Sequence, residues 1–300
     1  MDVINLKNGV LVINKPKNMT SRQVVDQAGK IFHTRKIGHT GTLDPLAEGV
    51  LVLGINQGTK IIELLTSTEK EYIAEVVIGR KSDTLDVTGN VTKVPLEKTY
   101  TKEEIIDCLN SFLGSYMQEV PIYSAVHIDG KRLYEYAREK KEVTLPKREV
   151  TISKIELVKE PAFEKDEWTF TFKVTVSKGT YIRSLIRDIG EKLNTPCIMK
   201  NLLRTRQGNF TLEQAVSLED LTIDTEIIKT EDALYEYDKI EVPEEMEIKI
   251  KNGRVMPKTF EGKYIIFLNK QKELLAIYQE YEKDKSFMKP WKVFQKENEK

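Results

Sequence analysis

Two stretches of this chain alternate apolar and polar residues, which is the period that gives a β-strand one buried face. They are KEYIAEVVIG at 70–79 and WTFTFKVTVSKG at 168–179, and both are rich in β-branched and aromatic residues. The segments around them have helical spacing, but strands and helices do not follow each other in a strict strand-helix-strand order. The sequence therefore predicts an α+β fold and not a doubly wound one.

Three segments have the spacing and the end signals of amphipathic helices. Thr20 is a suitable N-cap for the first, and Thr101 with Glu104 has the spacing of a capping box at the start of the second, before Gly114. The third is expected to begin near Tyr181, directly after the second predicted strand. Apolar residues recur along one side of each segment, so each helix is predicted to pack on the sheet.

The composition changes near residue 240. Between Thr211 and Ile250 there are thirteen Asp and Glu against three Lys, and Pro243 lies in this acidic segment. Beyond it YIIFLN, ELLAIYQEY and WKVF are short strand candidates. We therefore predict a large domain at 1–240 and a small β domain at 241–300.

The formal net charge is zero, but the charges are unevenly spread. Seven Lys and Arg stand against two acids in 178–206, and eight against four in both 130–154 and 1–60. A polyanion can therefore meet a positive face while the acidic segment points elsewhere. Solvated surface charge explains the same counts, so composition alone leaves both readings open.

Nothing in the sequence predicts a membrane segment or a secreted protein. No apolar run approaches the ~20 residues of a membrane span, and the N-terminus has no basic region followed by a long apolar one. Cys108 and Cys197 lie far apart without metal-ligand spacing, so we expect free thiols and neither a disulfide nor a zinc site. A cytoplasmic location is expected.

A single carboxylate, Asp44, stands in the glycine-rich stretch GHTGTLDPLAEGVL at 38–51. Pro45 disfavours a helical conformation for Asp44, and the glycines permit close approaches of the backbone. Such a loop can present a carboxylate to a ligand. An ordinary Asp-Pro turn between a helix and a strand has the same sequence.

Two arginines four residues apart, Arg183 and Arg187, share one side of the helix predicted in SKGTYIRSLIRDIGEKL. Arg183 falls in the first turn, where a cation opposes the helix dipole and is stabilised by an anion. A phosphate or a buried carboxylate would serve, and bidentate contact would keep that carboxylate charged. Surface solubility is the alternative role.

Several motifs occur in the order, and at roughly the separations, found in bacterial tRNA pseudouridine-55 synthases. The motifs are GHTGTLDPLAEGVL, KEY, SDTLDVTGN, YSAVHIDGKRLYEYAR, SKGTYIRSLIRDIG and LLRTRQGNF. The resemblance to this TruB family runs from about Gly9 to Phe210. It implies a pseudouridine-synthase fold with a mixed, largely antiparallel central sheet. The C-terminal part resembles the family's RNA-binding PUA domain only loosely.

The resemblance implies an isomerisation without metal or cofactor, in which the uracil of the T-loop uridine of tRNA is flipped out, detached, turned and rejoined through carbon. Asp44 matches the essential aspartate of the family, which acts as nucleophile or base. Arg183 matches the arginine that pairs with this aspartate. Tyr72 matches a tyrosine that stacks on the target base and assists proton transfer, although an isolated tyrosine there would ordinarily be core.

The resemblance also implies residues that bind the substrate. His39 matches a histidine that contacts the disrupted RNA, and Tyr181 and Leu202 match residues that line the uracil pocket. A basic segment at about 125–152 resembles a family insertion that closes on RNA, and its candidate RNA contacts are Lys131 and Arg132. The implied partner is the T-arm of tRNA, bound by a monomer without an obligate protein partner.

Two other functions stay open. The chain could be an RNA-binding helper that refolds tRNA, or a related synthase that acts on ribosomal RNA or with a guide RNA. Asp44 in an otherwise matching loop favours an enzyme, and nothing resembles the extra partner-binding segments of guide-dependent relatives. Asp83 and Asp86, in the SDTLDVTGN motif, are expected to have structural roles.

Overall fold

The computed structural model describes residues 7–294. The seven α-helices of these residues are, in chain order, α1 Ser21–Ile31, α2 Ile62–Thr66, α3 Lys102–Asn110, α4 Leu133–Glu139, α5 Ile182–Lys192, α6 Thr230–Ala233 and α7 Glu244–Lys251. The strands are β1 Gly9–Lys15, β2 Ile37–His39, β3 Glu48–Ile55, β4 Lys70–Ile78, β5 Arg80–Lys81, β6 Thr92–Lys93, β7 Gly114–Glu119, β8 His127–Ile128, β9 Lys131–Arg132, β10 Lys147–Glu164, β11 Glu167–Val176, β12 Cys197–Gln207, β13 Phe210–Thr211, β14 Val216–Ser217, β15 Lys239–Glu241, β16 Met256–Pro257, β17 Tyr264–Leu268, β18 Leu274–Glu280 and β19 Phe287–Val293.

A ten-stranded sheet forms the centre of the molecule. Eight of its strands run in the order β14-β1-β3-β12-β4-β11-β10-β7, with β13 and β2 paired beside β12 and β3. The β1–β14 and β3–β12 pairs are parallel, and the other pairs are antiparallel. The predicted α+β fold with a mixed, largely antiparallel sheet is confirmed. The two alternating stretches are β4 and β11, which pair directly.

The three predicted helices are α1, α3 and α5, and their apolar sides share one core with the sheet. Thr20 and Gln23 form a capping box at the start of α1, and Thr101 and Glu104 form one at the start of α3. The α-helix α3 ends at Asn110, where turns take over before Gly114. Each fully buried Leu or Ile in this core contributes roughly 1.5–3 kcal/mol.

A second sheet of five strands lies at the C-terminal end, in the order β15-β17-β18-β19-β16. The three strand candidates beyond the acidic segment are β17, β18 and β19, so the predicted small β domain is confirmed. Its isoleucine- and leucine-rich side shares an apolar cluster with the valines of β1 and β3 of the central sheet. The boundary between residues 240 and 241 stays a prediction.

Among residues 7–294, none of the helices combines the length and the apolar character needed to span a membrane. Cys108 and Cys197 are both free thiols, and both are buried. Burial raises the pKa of the Cys108 thiol to about 11 and that of the Cys197 thiol to about 12. Both side chains therefore behave as small apolar residues.

Gly49 lies where β3 pairs with β12, directly opposite Arg204. Its φ is +100°, and a Cβ there would lie 2.3 Å from the carbonyl oxygen of Arg204. We expect Gly49→Ala to lower the free energy of unfolding by more than about 3 kcal/mol, because strained backbone and a backbone clash add. Gly114 has a similar φ of +96° but nothing within 4 Å of its Cβ position. Gly114→Ala is therefore the matched control.

Urea unfolding of both variants measures this difference. Gly114→Ala should lose only about 1–2 kcal/mol, which is the strain of a left-handed alanine alone. Equal losses in the two variants would show that the close approach of β3 to β12 does not constrain residue 49.

Candidate active site

Asp44 and Arg183, which are 139 residues apart in the chain, meet at one end of the central sheet. Arg183 Nε donates to Asp44 Oδ2 at 2.8 Å. The guanidinium also donates from Nη1 to the carbonyl oxygen of Thr84 at 3.1 Å and from Nη2 to that of Tyr123 at 3.0 Å. All three nitrogens are thus engaged, and the side chain of Arg183 is only 6% exposed. The cation is fixed before any ligand arrives.

The contact differs in one respect from a bidentate arginine clamp. Only one guanidinium nitrogen reaches Asp44, and Oδ1 of Asp44 accepts no hydrogen bond from residues 7–294. The Asp44 side chain is 37% exposed. One carboxylate oxygen is therefore anchored while the other is open to a reacting group.

Arg187 does not join this pair, although it lies one helical turn further along α5. Its guanidinium forms ion pairs with Glu119 at 3.0 Å and with Asp188 at 2.7 Å. Burial raises the pKa of the Asp188 carboxyl, and the hydrogen bonds from Arg187 oppose this rise. The two arginines have separate tasks: one holds the exposed carboxylate, and the other ties α5 to β7.

Asp44 and Arg183 open on a cleft with a volume of about 310 Å³. Tyr72, which the family resemblance assigned to stacking on the target base, also lines it, as do Tyr181 and Leu202, which the resemblance assigned to the uracil pocket. Tyr72 is 8% exposed on β4, and Leu202 is 6% exposed on β12. Among residues 7–294 the Tyr72 hydroxyl has no hydrogen-bond partner. The cleft thus combines one open carboxylate, one unengaged hydroxyl and apolar walls.

Three other residues with predicted substrate contacts do not line this cleft. Lys131 and Arg132 lie on an excursion at 120–146, between β7 and β10, where Lys131 pairs with Glu139 at 3.1 Å. Arg132 donates to the Tyr134 hydroxyl. His39 is half-buried at the end of β2, just before the Asp44 loop. Contact of these residues with RNA stays a prediction.

Burial lowers the pKa of His39, and the charges of Arg204 and Arg22 lower it further. Below about pH 6.5 the unfolded chain therefore takes up a proton that the folded chain resists, so stability falls as pH falls. We expect the wild type to lose more stability than His39→Gln between about pH 7.5 and about pH 5.5.

Unfolding midpoints in urea at the two pH values measure the His39 effect. His127→Gln is the control, because this exposed imidazole is solvated in both states. If His39→Gln and wild type lost stability equally, the buried imidazole would not be the group that titrates.

Two buried lysines that sequence reasoning missed support the cleft. Lys15 is 0% exposed, and its Nζ donates to the carbonyl oxygens of Pro16 at 2.8 Å and Met19 at 2.7 Å. Lys70 lines the cleft, and its Nζ donates to the carbonyl oxygen of Thr66 at 2.6 Å. Burial lowers the pKa of each lysine to about 8. The alternation of strand side chains predicts the burial of both lysines. Residues two apart on a strand share one face, and Lys15 lies two residues after the buried Ile13, whereas Lys70 lies two residues before the buried Tyr72.

Arg204 and Gln118, both fully buried, position the backbone around the cleft. Arg204 donates to the carbonyl oxygens of Val50 at 2.6 Å and Gly41 at 3.3 Å, which braces the loop that carries Asp44. Gln118 accepts from Tyr181 N at 2.8 Å and donates to Tyr181 O at 3.2 Å. The start of α5, and with it Arg183, is therefore held by a residue of β7.

The acidic turn after β5 supports the site indirectly. Asp86 is 5% exposed and accepts hydrogen bonds from the Thr84 hydroxyl at 2.6 Å and from Thr88 N at 2.9 Å. Asp83 caps the same turn by accepting from Asn90 N at 2.8 Å. Both contacts agree with the structural roles expected for these carboxylates. These hydrogen bonds fix the turn that contains Thr84, whose carbonyl oxygen accepts a hydrogen bond from Arg183.

Comparisons with known proteins match most of the chain to one family. Residues 29–182 match a family model described as TruB family pseudouridylate synthase (N terminal domain). Residues 183–243 match one described as tRNA pseudouridylate synthase B C-terminal domain. The two models meet between Ile182 and Arg183, and together they include Asp44, Tyr72, Tyr181, Arg183 and Leu202 of the cleft.

Relatives extend the match to nearly the whole chain. A Bacillus pumilus protein named tRNA pseudouridine synthase B is 39% identical over 306 aligned residues, which cover 97% of this chain and 99% of the relative. A Lactobacillus acidophilus protein of the same name is 44% identical over 254, covering 82% and 86%. A solved chain in an H/ACA RNP bound to a substrate RNA containing 2′-deoxyuridine superposes with a TM-score of 0.70 at 25% identity, covering 97% of this chain and 86% of that one.

Proposed function

This chain belongs to the TruB family of pseudouridylate synthases, and we propose that it isomerises the T-loop uridine at position 55 of tRNA to pseudouridine. The observation that carries the proposal is the Asp44 carboxylate, which lines a cleft of about 310 Å³ with Oδ2 held by a buried arginine and with no hydrogen bond to Oδ1 among residues 7–294. A carboxylate with one anchored and one free oxygen suits a nucleophile or base that must act at a fixed point.

The residues around Asp44 have distinct tasks in this reaction. The target base must leave its stack at a cost of a few kcal/mol, and the aromatic and apolar walls formed by Tyr72, Tyr181 and Leu202 replace the lost contacts. The unengaged Tyr72 hydroxyl is placed to move a proton during rearrangement. Arg183 keeps the anion of Asp44 in place while the uracil turns. Neither a metal nor a cofactor has a step in this scheme.

We further propose that the T-arm of tRNA is bound along the basic stretches, with Lys131 and Arg132 of the excursion and His39 near the Asp44 loop contacting the RNA. Residues 1–240 would carry the reaction, and 241–300 would form a PUA-like RNA-binding domain. We expect a monomer that acts where tRNA is processed, in the cytoplasm. Sedimentation with and without RNA tests the monomer directly.

The test is incubation of the chain with an unmodified T-arm hairpin and EDTA, followed by site-resolved detection of pseudouridine. We expect product at the T-loop uridine. A hairpin with cytidine at that position is the matched control, and it should bind without reacting. Binding of both hairpins without product from either would contradict the synthase and favour an RNA-folding helper.

Binding should weaken steeply as salt increases, because lysines and arginines displace counterions from phosphates. We expect the Kd for the hairpin to rise by at least about tenfold between about 50 and 200 mM salt, which corresponds to about two phosphate contacts. Fluorescence anisotropy measures this change. An affinity that does not depend on salt would contradict binding through the basic stretches.

A further inference from the structure

One cation beside the cleft contacts a residue of the cleft wall but takes no part in the isomerisation itself. Arg148, at the start of β10, lies with its guanidinium carbon 5.4 Å from the centre of the Tyr181 ring. The residue is half-buried, and its guanidinium has neither a carboxylate partner nor a hydrogen bond among residues 7–294. Arg183 and Arg187, by contrast, both have carboxylate partners. A half-buried, unpaired guanidinium is costly unless an anion completes it.

The surroundings hold Arg148 in this position. It stands directly opposite Gln118 in the β10–β7 register, so the two side chains share one face of the sheet. From this face the Gln118 side chain accepts a hydrogen bond from Tyr181 N, and the Arg148 guanidinium lies over the Tyr181 ring. Gly179 leaves room for the guanidinium, because a Cβ there would lie 3.2 Å from Arg148 Nη1. The arginine is therefore in a defined place beside the cleft.

The free donors of Arg148 indicate the anion. The guanidinium lies over the Tyr181 ring without a hydrogen bond among residues 7–294, so its planar N–H groups can donate to two oxygens, the geometry that matches phosphate. The exposed Lys178, which lines the same cleft, adds positive charge. In RNA a nucleotide's own phosphates are separated from its base only by the sugar. A phosphate at Arg148 would therefore belong to the nucleotide whose base enters the cleft.

We propose that Arg148 binds a phosphate flanking the target uridine and, through its contact with the Tyr181 ring, positions that phosphate relative to the base cleft. This inference rests on the proposed function, since it takes RNA as the ligand. It assigns Arg148 to binding and positioning and not to the chemical step. Lys147 is exposed on the opposite face of β10 and carries the same charge, but it does not contact the Tyr181 ring. It is therefore the matched control position.

The experiment replaces single phosphates of the T-arm hairpin by neutral methylphosphonate and measures the Kd for wild type, Arg148→Gln and Lys147→Gln. For wild type, one modified phosphate beside the target uridine should weaken binding about tenfold, as loss of one charge-assisted contact implies. Arg148→Gln should bind the unmodified hairpin about tenfold more weakly and lose nothing further at that phosphate. Lys147→Gln should keep the full sensitivity.

Two results would overturn the role of Arg148. One is an Arg148→Gln variant that loses as much as wild type at every modified phosphate, because a merely structural change would weaken all hairpins alike. The other is a wild type that is insensitive at both flanking phosphates. Product formation by wild type from the unmodified hairpin is measured in parallel and tests the proposed function separately. If wild type forms product but Arg148→Gln keeps the wild-type sensitivity to the modified phosphates, the assignment of Arg148 is wrong and the proposed function stands.

Discussion

Asp44→Asn should abolish formation of pseudouridine, with turnover at least about 10⁴-fold below wild type, while RNA binding survives. Removing a nucleophile or base removes the step itself, and losses of this size are typical. The asparagine has the same shape, and its oxygen can still accept the hydrogen bond from Arg183 Nε that Asp44 Oδ2 accepts at 2.8 Å. Single-turnover kinetics on the T-arm hairpin and the Kd of the same hairpin measure the two effects.

The stability of Asp44→Asn is the internal control for this result. The side chain of residue 44 is 37% exposed, so we expect a loss of only about 1–2 kcal/mol in the free energy of unfolding. Near-normal turnover in a folded variant would exclude Asp44 as the reacting group. A variant that still remodels tRNA without turnover would show a refolding activity beside the enzyme.

Arg183→Lys should lower turnover by about 10²–10³-fold and also destabilise the fold by about 2–4 kcal/mol. Arg183 makes three separate contacts from one planar group, whereas a lysine ammonium is a single point charge that cannot reach all three acceptors. The carbonyls of Thr84 and Tyr123 would lose their donors. Turnover under saturating RNA and urea unfolding report the two losses.

Arg187→Lys is the matched control for Arg183→Lys, since both arginines lie on α5 one turn apart. Arg187 pairs with Glu119 and Asp188 outside the cleft, so its replacement should cost some stability and little turnover. If both variants lost turnover equally, the position of α5 would matter more than the contact with Asp44.

Local signals in the sequence were enough for much of the fold. The N-cap Thr20 and the capping-box spacing at Thr101 mark the starts of α1 and α3, and alternation marks β4 and β11. These features depend only on residues that are close in the sequence, so they can be predicted without knowledge of the tertiary structure. The pairing of Asp44 with Arg183 joins residues 139 apart in the chain, so no local signal predicts it. Only the resemblance to the family motifs predicted this pairing.

The residues that were missed have partners that leave no pattern in the sequence. Lys15, Arg204 and Gln118 bind mostly backbone groups, and a backbone carbonyl is present at every position whatever the side chain. Their burial follows from the strand period, but their partners follow from the path of loops many residues away. The contact of Arg148 with the Tyr181 ring likewise depends on the arrangement of β7, β10 and α5.

The apolar cluster shared by the two sheets has a consequence for protein synthesis. Val10 and Val52 on the central sheet are covered together with Ile266 and Ile277 of the C-terminal sheet. A ribosome that stalls or terminates before β17 would release a chain with these valines exposed to water, a surface that aggregates or recruits proteases. The C-terminal sheet therefore keeps the central sheet from exposing an apolar face, and a chain that lacks this sheet would aggregate or be degraded.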